Sequence, residues 1–146
     1  MNAEESVREQ FGQLLTTDEI YHLIEDISVG ASHQTRTSAM VSLGSSRDPR
    51  AVTPLTECCK DEDAEIRRYA VDALYHIKSV RSVPALIERI KDKREDSTIR
   101  KTAIMALAEI KGYTALEGLV EVSLDAHEDL EIRIFATQML GCNDKK

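Results

Sequence analysis

Four histidines and three cysteines are the side chains of this sequence best suited to metal or redox chemistry, and their spacing supports neither. His127 stands beside Glu128 in the chain's one His-Glu dipeptide, while His22, His33 and His76 are scattered over separate segments. A two-metal centre needs ligands converging from several elements, so a single pair predicts surface or partly buried imidazoles. Cys58 and Cys59 are adjacent in a helical pattern, where neighbouring side chains diverge. They read as one packed thiol and one at the edge. Cys142 stands alone, and an odd count without a framework of spacings fits a reducing, cytoplasmic setting. No Gly-rich phosphate loop, nucleophile elbow or zinc spacing occurs, and the sequence assigns no catalytic residue, metal or cofactor. One pattern does recur. Asp63 and Arg67, Asp96 and Arg100, and Asp129 and Arg133 each set an acid four residues ahead of an arginine. An aspartate so placed caps a helix and suits the positive end of its dipole. The arginine, one turn on, can bond that carboxylate or the next repeat's, or join a row that receives an anionic partner. Ser32 precedes Arg36 in the same way, which leaves Arg36 without a local acid.

The elements that carry these pairs are repeats. Ala39, Ala70, Ala103 and Ala136 each follow an arginine by three residues, so the unit recurs at steps of 31, 33 and 33 residues. A fixed step of this size is the mark of a solenoid. Val52-Thr53-Pro54-Leu55, Val83-Pro84-Ala85-Leu86 and, more weakly, Leu116-Glu117-Gly118-Leu119 answer one another in the preceding helices. Apolar residues at helical spacing predict a capping helix over 3–15, with Val7, Phe11, Leu14 and Leu15 inward, then helical hairpins at about 18–44, 48–79, 80–112 and 113–141. Asp48-Pro49 has the form of a helix start, and Gly44, Gly112 and Gly141 are placed to end helices. Residues 142–146 read as a frayed tail. Such repeats bury their apolar stripes only by stacking. The expected fold is therefore all-α, a single domain of about four hairpins in a right-handed α-α superhelix.

Charge narrows the range of partners. The formal net charge is 19 − 26 = −7, and an acidic chain repels phosphate backbones, so nucleic acid is not expected. No apolar run approaches the roughly 18 residues of a membrane span. The opening MNAEESVREQFGQLL lacks the basic and apolar regions of a signal peptide.

From Asp48 to Leu55 and from Lys60 to Leu74 the sequence resembles the HEAT-like repeats of the phycobilin-lyase type. The resemblance covers about 18–141 and is strongest over 48–111. It implies that Asp63, Arg67, Asp96, Arg100, Asp129 and Arg133 form a structural ladder running between repeats. It also implies an interaction surface more often than an enzyme. Deoxyhypusine hydroxylases share the repeat and hold two irons with several His-Glu pairs, of which this chain has one. Alkylpurine DNA glycosylases of HEAT-like fold are similar in architecture only, because a groove for damaged DNA wants a basic face and aromatic side chains. A lyase-like subunit holding a linear tetrapyrrole is the alternative that the resemblance leaves.

A binding surface is expected along the second helices, the concave side of such a superhelix. With Ile66 set in the core and 100° per residue, Arg68, Val71, Asp72 and Tyr75 fall on or beside the outward face. The repeat step carries these positions to Met40, to Lys101, Ile104 and Met105, and to Ile134 and Gln138. Met40, Arg68, Tyr75, Lys101 and Met105 are the candidate contacts for a peptide or helix of a protein partner. Packing between repeats is the competing role for Val71 and Ile104. The last helix crowds Ile134, Phe135 and Met139, so the chain is expected to be a monomer or a homodimer joined through its C-terminal hairpin. The function expected is that of a non-enzymatic scaffold.

Overall fold

Each hairpin begins where a polar side chain can close a helix end. The computed structural model describes residues 14–143, with side chains through Gly141. Eight α-helices follow in order: α1 Thr17–Asp26, α2 His33–Ser46, α3 Val52–Cys58, α4 Ala64–Ile77, α5 Val83–Lys91, α6 Ser97–Ile110, α7 Tyr113–Leu124 and α8 Leu130–Asn143. Thr16 and Glu19 form a reciprocal capping box at α1. Asp63, Asp96 and Asp129 accept the N–H groups of Glu65, Thr98 and Glu131 at 2.8, 2.8 and 2.9 Å. These bonds satisfy donors that a helix start leaves unpaired. Residues 3–13 of the expected capping helix and 144–146 of the expected tail lie outside the described residues, whereas α8 itself runs to Asn143.

The hairpins are α1–α2, α3–α4, α5–α6 and α7–α8. Second helices stack α2 on α4 on α6 on α8, and α5 packs on α7. No strand occurs among the described residues. α3 is shorter than expected, because Pro49–Ala51 forms a 3₁₀ turn ahead of it. The third hairpin repeats this with Val80–Ser82. Pro54 and Pro84 both fall in the first turns of their helices, where a missing N–H costs nothing.

The core is continuous from Ile20 to Ala136 and is built of aliphatic side chains and alanine. Ala70, Ala103 and Ala136 are fully buried, which lets neighbouring second helices approach closely. Gly44 departs from its expected role as a helix end. α2 continues to Ser46, and Arg47 takes the left-handed C-cap at φ 55°. Gly44 lies instead where α2 meets α4, and a Cβ there would stand 2.9 Å from Ala73 Cα. Among the described residues, no helix is long and apolar enough to cross a membrane.

Candidate interaction face

The arginine ladder exists, but the aspartates ahead of the arginines are not its acids. Asp63, Asp96 and Asp129 serve as helix caps. Arg36, Arg67 and Arg100 each reach forward to the next hairpin instead. Arg36 Nη2 donates to Asp61 Oδ2 at 2.8 Å, and its Nε donates to the Ile27 carbonyl at 3.1 Å. Arg67 makes a two-pronged bond to Glu95, Nε to Oε2 at 2.7 Å and Nη2 to Oε1 at 3.0 Å. Arg100 donates to the Ile90 carbonyl and, at 2.6 Å, to Glu128 Oε2. Arg36 is thus fully engaged despite having no local acid. Arg133 is the arginine left over: its Nε is buried without an acceptor among the described residues.

The turns explain the choice of acid. Glu95 and Glu128 immediately precede their helix caps, lie buried, and each accepts the N–H of the capping aspartate, at 3.0 and 2.8 Å. A carboxylate in that place reaches the arginine of the preceding hairpin, whereas the capping aspartate is held by the N–H groups of its own helix. In the second hairpin Glu62 has this sequence position but Asp61 does the work. Eight positions separate Leu55 from Asp63, against ten from Leu86 to Asp96, so the shorter path brings the earlier acid into reach. Burial by itself pushes the Glu95 carboxyl up. Bonds from Arg67 and Arg89 and from the Asp96 N–H more than offset this and hold it at about 2. At Arg36, burial disfavours the charge and Asp61 restores it, which raises the guanidinium above its ordinary value.

The outward face of the second helices divides into rows. Met40 was the sequence's candidate at its near end, but it is 0% exposed, as are Val71 and Ile104 in the same row. That row packs between hairpins, so Met40 cannot contact a partner. The next row comes to the surface: Val41 and Asp72 are exposed and Met105 is half-buried. Beside it run Arg68, exposed, and Lys101, half-buried. Tyr75 is half-buried, its ring edge-on to His76 at 5.4 Å between centroids. Arg68 lies over the Tyr69 ring at 4.5 Å, and Lys101 over Phe135 at 5.8 Å. Lys101 also pairs with Glu131 of the next hairpin. At the far end, Lys101, Leu130, Ile134, Phe135 and Gln138 line an open groove of about 610 Å³. Sequence reasoning had marked Lys101 but not Leu130 or Phe135 as lining this face; a second-helix row shifted by one position would have found Phe135.

The residues suited to other chemistry are not gathered. Glu128 of the His-Glu dipeptide is held by Arg100, and the His127 carbonyl accepts from Lys93 Nζ at 3.2 Å. Among the described residues, no three His, Cys, Asp or Glu side chains are grouped to hold a metal ion. Cys58 and Cys59 are both buried, so neither thiol stands at the edge. Burial pushes Cys59 up to about 12.

No curated protein sequence matches the chain. Among solved structures, it is similar to human deoxyhypusine hydroxylase in complex with glycerol, with a TM-score of 0.73 and 20% sequence identity over 97% of this chain and 46% of that one. The chain spans about half the length of that protein, and a likeness at this identity shows the fold alone. A family model described as HEAT repeats matches residues 20–97, more than half of the sequence. With its stacked hairpins and recurring Asp and Arg positions, the chain belongs to the HEAT-repeat family.

Proposed function

We propose that this protein is a non-enzymatic scaffold of the cytoplasm that binds a protein segment along its second-helix face. The observation that carries the reading is the pair of surface rows through Arg68, Asp72, Lys101 and Met105, leading into the groove at Ile134 and Phe135. Interfaces favour arginine, methionine and aromatic side chains. Arg68 and Lys101 lie over aromatic rings, which limits the side-chain entropy lost on binding. Tyr75 contributes its exposed edge, and Met105 supplies an adaptable apolar contact at the middle of the face. The segment bound is a helix or an extended peptide that sets an apolar residue in the groove and an acid against Arg68.

The test is affinity purification of the protein from its native cells, beside an Arg68→Ala/Met105→Ala variant. Bound proteins are quantified by mass spectrometry. A stoichiometric partner whose recovery falls at least tenfold in the variant, with unchanged helicity, supports the reading. Equal recovery refutes the site.

A further inference from the structure

The ion pairs between hairpins all point one way. Among the described residues, the base comes from the earlier hairpin and the acid from the later one: Arg36 with Asp61, Arg67 with Glu95, Lys78 with Glu109, Lys91 with Glu121, Lys93 with Asp125, Arg100 with Glu128, and Lys101 with Glu131. Each layer therefore has a basic leading face and an acidic trailing face. The leading face of the last hairpin breaks this pattern. One repeat step beyond Lys91, Lys93 and Lys101 stand Leu124, Ala126 and Ile134, while Arg133 keeps the place of Arg100. Leu124 is 74% exposed and Ile134 48%. Val120, at the step beyond Ile87, is exposed as well. Ile87 is the side chain that packs into the next hairpin, where a Cβ on Gly118 would come within 3.0 Å of its Cδ1.

A repeat face that meets only water needs to be polar. Here three cationic positions have become apolar and one arginine is retained with its Nε buried and, among the described residues, without an acceptor. We infer that the leading face of the α7–α8 hairpin docks a helical hairpin of another protein, whose acid, placed just ahead of its second helix, completes the ladder at Arg133. Aliphatic side chains of that partner cover Val120 and Leu124. The partner is not the first hairpin of a second copy. Its turn, Ser28 to Ala31, has no acid, and Ala31 and Gln34 occupy the positions of Glu128 and Glu131. Nor does a tail-to-tail copy fit, because Glu121, Asp125, Glu128 and Glu131 of the last hairpin are taken by the hairpin before it.

The probe is a fluorescein-labelled synthetic peptide of residues 113–141 carrying Glu121→Leu, Asp125→Asn and Glu131→Leu, so that Glu128 alone remains of the four acids that pair with the preceding hairpin. It is titrated against the intact protein by fluorescence anisotropy. Charge-assisted bonds of this kind predict weakening of about tenfold or more for protein with Arg133→Gln or peptide with Glu128→Gln. Combining both changes should weaken binding little further than either alone. Failure to bind, or equal affinity of Arg133→Gln and wild-type protein, overturns the proposal. Sedimentation velocity across concentrations supplies a second arm, in which a monomer is expected. A concentration-dependent dimer that Arg133→Gln abolishes would overturn the choice of partner, since the face would then belong to a second copy.

Discussion

Replacing Glu95 by glutamine tests whether the ladder stabilises the stack. Glu95 Oε2 accepts from Arg67 Nε and Arg89 Nη1, both at 2.7 Å, and Oε1 accepts from Arg67 Nη2 and the Asp96 N–H, both at 3.0 Å. Glu95→Gln keeps the shape but removes the charge and turns an NH₂ group toward arginine donors. Loss of one partner from a buried ion pair costs about 3–5 kcal/mol, and that is the destabilisation expected at pH 7. Acid should narrow the gap. The carboxyl is held at about 2, below its ordinary value of 4.5. A depressed carboxyl stabilises the fold above its unfolded pKa, and that stability is lost as pH falls toward the folded value. The full contribution is about 3 kcal/mol, of which about 2 kcal/mol is gone by pH 3. Urea unfolding followed by circular dichroism at pH 7 and pH 3 gives both numbers. The difference between wild type and variant should shrink by about 2 kcal/mol, whatever other carboxylates do, since they are common to both. A difference below about 1 kcal/mol at pH 7, or one that does not change with pH, would refute the reasoning.

Gly44→Ala should destabilise by about 1–3 kcal/mol, although alanine is the better helix former, because the new Cβ meets the backbone of Ala73. Gly118→Ala, whose Cβ meets side-chain atoms of Ile87 and Leu107 rather than backbone, should stay within about 1 kcal/mol of wild type, the helix gain offsetting a small shift. Urea midpoints measure both. Met40→Ala should cost about 2–5 kcal/mol, as a cavity in the core does. The half-buried Met105 should cost about 1 kcal/mol or less when changed to alanine, and reversed costs would mean that the two rows have been exchanged. Cys59, raised to about 12 and buried, should resist iodoacetamide at pH 8 in the folded protein and react promptly in urea, as peptide mass spectrometry will register.

The parts of this fold that depend on local chemistry were legible in the residues. Helix starts at Asp63, Asp96 and Asp129, the apolar stripes, the repeat step and the hairpin boundaries follow from contacts within a few positions of one another, and the helices lie close to where those signals set them. Gly44 was misread because a glycine near a helix end and one at a helix crossing look alike in one dimension. On the binding face, the sequence could place Arg68 and Met105 outward but could not separate Met40 from them. A repeat step says which residues are equivalent; it does not say how far each layer is rotated over the last. That rotation puts the row of Met40, Val71 and Ile104 between helices and the row beside it in solvent. The same holds for the ladder. The sequence supplied the arginines and a surplus of acids around each turn, so several pairings were open to it. The stacking of one hairpin on the next chose among them, drawing Arg67 to Glu95 and Arg100 to Glu128, because the carboxylate just ahead of the helix cap lies within reach of the previous layer's arginine while the capping aspartate is engaged by its own helix. It also gave the ion pairs their common direction and, among the described residues, left Arg133 Nε without an acceptor, since the acids that meet Arg36, Arg67 and Arg100 come from the layer stacked in front of each.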